Sequence, residues 1–178
     1  MNSSEYEVRT ALDSDIESLP AIEVAAAQVV PVEDLGPSLR NEGMSVRAFA
    51  EASESGRLLV AASRQDARPV GFAMMLIVDG QAHLHELDVE PSHARKGLGA
   101  ALVKEAARWA QSRGLRAVTL TTFRHLAFNA PFYARYGFRE LAPGEIGSEL
   151  EAMLKDEEAH GLDRSKRLAM ELAIEPQP

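Results

Sequence analysis

Tyr6 to Thr10 has the two-residue period of a short strand, and Asp13 stands where a cap is expected for a helix running from Ser14 to about Val30, with Asp15 and Glu17 on its first turn. Pro31 ends that helix, and one or two short helices are expected around Ser38 to Glu54. Gly56 then releases the chain into a strand from Arg57 to Ser63. A polar turn leads to the apolar run Val70 to Val78, and Asp79-Gly80 is a strong two-residue hairpin signal before a further strand from Gln81 to Val89. From Gly97 to Arg113 the period becomes helical: Leu98, Ala101, Leu102, Ala106 and Trp109 fall near one face, and Gly114 sits where a left-handed cap is wanted. Leu115 to Thr122 reads as a strand, Asn129 to Tyr136 as a short helix and Phe138 to Leu141 as the start of another strand. Ser148 to His160 reads as a helix ending at Gly161, and Arg167 to Ile174 as the last strand.

With 178 residues, 46% of them hydrophobic, the chain has the length of one domain with a substantial core, so residues 1–178 are expected to form a single domain. The absence of cysteine rules out disulfides, thiolate metal sites and an acyl-cysteine intermediate. The net charge of −8 and the lack of a basic run argue against nucleic acid as a partner, although an acidic surface attracts cationic amines. Met1-Asn2-Ser3-Ser4-Glu5 does not read as a secretory signal, and the longest apolar run is far too short to span a bilayer. A soluble cytoplasmic protein with no membrane partner is the expectation, with an unstructured tail only at Pro176-Gln177-Pro178.

The segment from Val89 to Leu102 joins a strand to a helix through a turn bearing Gly97 and Gly99. Backbone N–H groups in such a turn, with the unpaired donors at the helix start, hold anionic oxygens, and a glycine lets a bulky pyrophosphate approach the main chain. A Walker loop would need Gly-Lys-Ser/Thr, whereas Lys96 precedes the glycine here. The dinucleotide fingerprint would need a third glycine where Leu102 stands.

The turn instead resembles the acetyl-CoA signature of the GNAT acyltransferase superfamily, and Asn129-Ala130-Pro131-Phe132-Tyr133-Ala134-Arg135-Tyr136-Gly137-Phe138 resembles that family's later motif. The resemblance is close from Ala82 to Leu141 and runs by pattern only elsewhere. It implies an α/β fold of α+β type: a mixed, mostly antiparallel sheet of about seven strands flanked by helices and splayed where the cofactor's pantetheine arm lies. It also implies acetyl-CoA as the cofactor, with Leu87, Val89, Arg95, Lys96, Gly97, Leu98, Gly99, Ala100, Asn129, Phe132 and Tyr133 around it. One departure is Ala94, where the family usually carries glutamine or arginine. The amide cradle survives that change, while a side-chain contact is lost. Homodimers are frequent in the superfamily, so pairing of two chains is a further expectation.

Aminolysis of a thioester requires a proton to leave the attacking ammonium and benefits from one delivered to the departing thiolate. By resemblance Tyr133 is the acid; the plainer alternative is a packed tyrosine with a satisfied hydroxyl. The strand period puts His83, His85, Leu87 and Val89 on one face and Leu84, Glu86 and Asp88 on the other. His83-Leu84-His85 is similar to the corresponding strand of arylalkylamine N-acetyltransferases, whose paired histidines line a proton path. Glu86 is the rival base, since many bacterial relatives carry a glutamate there, and solvent alone is a third option. No third ligand accompanies the two histidines, so no metal is expected. Asn129 contacts the pantetheine amides or caps the short helix, and Arg95 and Lys96 either add charge around the phosphates or form a solvated turn.

The expected activity is transfer of an acetyl group to a primary amine, of a small molecule or a peptide, by direct attack in a ternary complex. A non-catalytic acyl-CoA sensor and a transferase using another acyl-CoA are the alternatives. The acceptor pocket is expected from residues 30–56 and 143–165, which contain no decodable motif.

Overall fold

The computed structural model describes residues 5–175; the expected unstructured tail and the Met1–Ser4 end of the amino terminus lie outside the described residues. Seven strands form one sheet in the order β1-β2-β3-β4-β5-β7-β6. They are β1 (Tyr6–Thr10), β2 (Leu58–Ser63), β3 (Pro69–Val78), β4 (Gln81–Val89), β5 (Ala117–Phe123), β6 (Arg139–Glu140) and β7 (Arg167–Ala173). The β1–β2, β2–β3, β5–β7 and β6–β7 pairs are antiparallel. β4 and β5 run parallel, with Ala82 opposite Val118 and His83 opposite Thr119. This is the mixed, mostly antiparallel sheet that the family resemblance implies. The helices are α1 (Leu19–Ala27), α2 (Pro37–Asn41), α3 (Val46–Glu54), α4 (Leu98–Ser112), α5 (Ala130–Ala134) and α6 (Ser148–Ala159). None of them is long and apolar enough to cross a membrane, among the described residues.

The chain divides into two compact units: one takes in the chain through Met75 together with Glu86–Ala106, the other Leu76–His85 and the chain from Ala107 onward. In the first, Leu19 and Ile22 of α1 and Phe49 and Ala52 of α3 bury against Leu58, Val60, Phe72 and Met74 of the sheet. Phe49 and Phe72 meet edge to face with centroids 5.0 Å apart, the geometry favoured by the aromatic quadrupole.

The single helix expected from Ser14 to Val30 is a 3-10 turn over Asp13–Ser18 followed by α1. Pro20 in the first turn of α1 explains the break, since proline has no N–H to donate back into a preceding turn and is tolerated only where the donor is unpaired anyway. Asp15, not Asp13, does the capping: its buried carboxylate accepts from Leu12 N at 2.7 Å and pairs with Arg9 at 2.6 Å. α1 stops at Ala27 because Val29 and Val30 bond back to Ala26 and Ala27 in tightened turns, while the Arg40 guanidinium takes the Val30 carbonyl.

In the second unit α6 lays Leu150 and Leu154 on Val78, Leu141 and Ala169. Its start is set by the β3–β4 hairpin. Asp79 (φ +50°) and Gly80 (φ +70°) make the left-handed turn expected of that dipeptide. The Asp79 carboxylate accepts from Glu149 N and Leu150 N, each at 3.0 Å, and the Glu149 carboxylate accepts in return from Asp79 N. Two orphan donors of α6 are thereby satisfied from another element, and a Cβ at Gly147 would collide with the same carboxylate.

Asp79→Ala is expected to destabilise the protein by about 1–2 kcal/mol in urea denaturation, and Asp79→Asn by less, because an amide oxygen still accepts one of the two bonds.

Candidate active site

In the first unit, a 3-10 turn over Pro91–His93 leads from β4 into Ala94, Arg95 (φ +59°), Lys96 and Gly97 (φ +82°), and the Gly97 carbonyl opens α4 by accepting from Ala101 N. Two left-handed residues with one between them curl the main chain so that successive N–H groups converge, beside the unpaired donors of a new helix. Arg95 is exposed, and Gly97, Gly99 and Ala100 are half-buried. Leu98 is buried, so only its backbone is available to a ligand. Leu102 and Ala106 of α4 are buried with it, whereas Ala101, expected on the same face, is only half-buried.

Lys96 does not stand free at the turn. Its ammonium donates to the Tyr6 hydroxyl at 2.8 Å, and the same hydroxyl lies 2.9 Å from His93 Nδ1. The hydrogen bond to Tyr6 raises the Lys96 pKa. Nothing in the spacing of Tyr6, His93 and Lys96 signalled this contact, which comes from β1 at a separation of 90 residues.

The last residues of β4 in this unit, Glu86, Leu87, Asp88 and Val89, are half-buried. Burial pushes the Asp88 carboxyl well above the usual carboxylate range, with Glu86 and Glu23 of α1 raising it further. Glu23 is likewise raised by burial, against the opposing effect of the Met44 N–H it accepts at 2.8 Å. Neither Glu23 nor Asp88 was expected here from the sequence.

In the second unit, His83 is fully buried and its Nδ1 lies 2.9 Å from Thr119 Oγ1. Because that hydroxyl is directed at the Ala82 carbonyl, it accepts from Nδ1–H and leaves Nε2 as a buried acceptor without a partner. Burial, with a smaller effect of His85, lowers the His83 pKa to about 3. His85 lies on the same side, its ring centroid 6.3 Å from that of His83.

His85 lines an open groove of about 520 Å³ with Glu149, Ala152, Met153, Asp156 and Glu157 of α6. Solvent reaches the ring along the groove, yet the protein packed around it lowers its pKa, opposed by the charge of Glu157. Glu157 is itself held by Arg167, whose Nε and Nη2 donate to the two carboxylate oxygens at 2.9 Å each. Among residues 143–165, α6 supplies the groove wall; the α1–α3 segment belongs to the other unit.

Asn129 precedes α5, and its carbonyl accepts from Phe132 N and Tyr133 N. Its side chain does not cap the helix. Nδ2 donates to Thr122 Oγ1 at 2.9 Å, and Oδ1 is buried with no partner. Tyr133 is buried, with Phe132 and Phe138 rings at 5.1 and 5.6 Å. An orphaned buried amide oxygen is costly unless a ligand donor completes it. Such an oxygen suits the N–H of a pantetheine amide; in the other unit, taken by itself, the turn at Arg95–Gly97 suits a pyrophosphate, so each fits a part of coenzyme A.

The model of the acetyltransferase (GNAT) family matches residues 29–138, a span that holds β4, the glycine turn and α5. The chain belongs to that family. Acetyl-CoA is the acyl donor of GNAT enzymes. This GNAT chain is 32% identical over 117 residues to the mycothiol acetyltransferase of Clavibacter michiganensis subsp. michiganensis, a match covering 56% of this chain and 38% of that relative. Its fold is shared by the PaiA N-acetyltransferase of Thermoplasma acidophilum in complex with coenzyme A, with a TM-score of 0.69, 19% identity and coverage of 94% of this chain and 98% of the other. The ribosomal-protein-S18-alanine N-acetyltransferase of Escherichia coli aligns with a TM-score of 0.66 and 19% identity, covering 97% and 96% of the two chains.

A histidine whose folded pKa is depressed takes up a proton on unfolding between pH 3 and 6.5, so its contribution to stability is present above pH 6.5 and is lost as pH falls. Unfolding free energy is expected to drop toward acid with a component approaching 1.4 kcal/mol per pH unit from one proton, and His83→Gln is expected to remove that component. Denaturant titrations between pH 4 and 7 on both proteins measure it.

Proposed function

We propose that this GNAT chain transfers the acetyl group of acetyl-CoA to the primary amine of a small molecule or peptide, by direct attack in a ternary complex, and that the chain serves as a single catalytic domain. The reading is carried by the family match over residues 29–138. It is supported by two features that a bound cofactor would account for: the orphaned Asn129 Oδ1 and the left-handed Arg95–Gly97 turn. With no cysteine in the chain, no thiol is present to carry the acetyl group on the enzyme, which favours direct attack.

Acetyl-CoA supplies the activated thioester when bound. The N–H groups about Gly97 and Gly99 would hold its phosphates, and the Asn129 amide oxygen would accept from a pantetheine N–H. Tyr133 donates a proton from its phenol to the departing thiolate. His85 receives the proton of the attacking ammonium: it lines the groove, and its lowered pKa keeps it neutral and ready to accept at physiological pH. His83 is less suited to direct proton transfer, since its ring is sealed from solvent and holds a proton only near pH 3. It stands behind His85 as a neutral support. Glu86 is less suited as well, because another carboxyl, Asp88, shares its strand end and like charges there oppose one another.

Release of CoA in the presence of a broad amine panel tests the activity as a whole. Tyr133→Phe is expected to lose about 100-fold in kcat while calorimetry shows unchanged acetyl-CoA affinity; wild-type turnover in the variant would remove the acid from Tyr133.

The acidic limb of the wild-type kcat/KM profile is expected below the ordinary histidine value of 6.5, the direction in which burial moves His85. His85→Ala should abolish that limb and lower kcat/KM by about 100-fold at pH 7.

A further inference from the structure

We infer that Tyr6 is a positioning residue for the phosphate-binding turn, a role that rests on the reading of that turn as the acetyl-CoA cradle. Tyr6 belongs to β1, far from the turn in sequence, and its side chain is buried at 5% exposure. One phenol oxygen serves both sides of the turn. It accepts from Lys96 Nζ at 2.8 Å and is hydrogen-bonded to His93 Nδ1 at 2.9 Å. The phenol ring stands edge to face on the His93 imidazole, with centroids 5.7 Å apart, and the Lys96 ammonium lies 5.4 Å from the phenol centroid. Further along, His93 Nε2 lies 3.7 Å from Glu90, which Arg68 of the β2–β3 turn holds at 2.8 Å.

The two residues tied to Tyr6 bracket Ala94 and Arg95. Arg95 is the non-glycine residue of the turn in the left-handed region, a conformation disfavoured for an L-residue of this kind. Such a backbone persists when its surroundings over-determine it. His93 before it and Lys96 after it are fixed to a single atom of β1, so the chain between them is closed into a short loop whose shape Tyr6 sets. Lys96 thus acts through Tyr6 as a strut of the cradle, and the recognition of the pyrophosphate falls to main-chain N–H groups that the strut keeps in register. A cradle held in its bound shape before the ligand arrives binds more tightly, because less ordering is required on binding.

The test is calorimetric binding of CoA, with steady-state kinetics, on wild type, Tyr6→Phe, Lys96→Met and the double variant. Tyr6→Phe is expected to raise the Kd for CoA and the KM for acetyl-CoA about tenfold, with kcat at saturation within twofold of wild type. The double variant is expected to bind no more weakly than the weaker single variant, because both remove one strut. Wild-type CoA affinity in Tyr6→Phe overturns the inference, as does a fall in kcat with unchanged KM. Additive losses in the double variant also overturn it, since they assign Lys96 a direct contact with the phosphates. Lys96 is exposed, so Lys96→Met keeps the question decidable if Tyr6→Phe does not fold: wild-type affinity in Lys96→Met then refutes the strut. Failure of the wild-type protein itself to bind CoA would instead overturn the proposed cofactor.

Discussion

The acyl-donor end depends on a backbone constraint. β4 must pass into α4 through a turn with Arg95 and Gly97 in the left-handed region. The turn cannot relax by unwinding the helix, because Leu98, Leu102 and Ala106 are buried from its first residue onward. Nor can it relax backward, since Glu90 N is held by the Val70 carbonyl. Between these anchors the chain has few shapes left, and the one adopted directs N–H groups to a common point. An anion bound there would be held by geometry more than by side-chain charge, and Ala94 in place of the usual glutamine or arginine is compatible with that.

β4 shows a second constraint, the exclusion of water from ionisable groups. His83 escapes the cost of burial by remaining neutral, with Nδ1–H satisfied by Thr119. Asp88 meets the same cost with neighbours of its own sign, so its carboxyl favours the proton. His85 differs from both: it is reached by solvent and feels the negative Glu157. Desolvation and the carboxylate act in opposite directions on it, and desolvation is the larger. One strand therefore carries an inert imidazole, a reluctant acid and a titratable imidazole, distinguished by packing and by neighbouring charge.

The strands and helices were legible wherever a local signal sufficed. The Asp79-Gly80 turn, the left-handed Gly114 after α4 and the apolar stripe of Leu98, Leu102 and Ala106 were all read correctly, since turn chemistry and the helical period are written in neighbouring residues. The amino-terminal helix is shorter than its apolar pattern predicts, because Pro20 starts a helix of its own. The family motifs pointed to Gly97, Asn129 and Tyr133, and the structure adds that Asn129 turns its amide away from capping. Tyr6, Glu23 and Asp79 were beyond reach in their actual roles: each acts on a residue many positions away, and no period links Tyr6 to Lys96 or Asp79 to Glu149.

The Asp79–Glu149 exchange also bears on the chemistry of the groove. Its bonds fix where α6 begins, and the buried Leu150 and Leu154 fix its rotation. Start and rotation together decide that Glu157, two turns on, faces His85. Were Glu157 unpaired, a full negative charge beside the imidazole would hold its proton and make it a poor acceptor. Arg167 offsets part of that charge through a bidentate pair, and the Thr121 hydroxyl donates to the same carboxylate. The imidazole is thus left under the dominance of desolvation, which keeps it neutral. A hairpin turn, a helix start and a buried arginine together set the charge that the His85 imidazole meets.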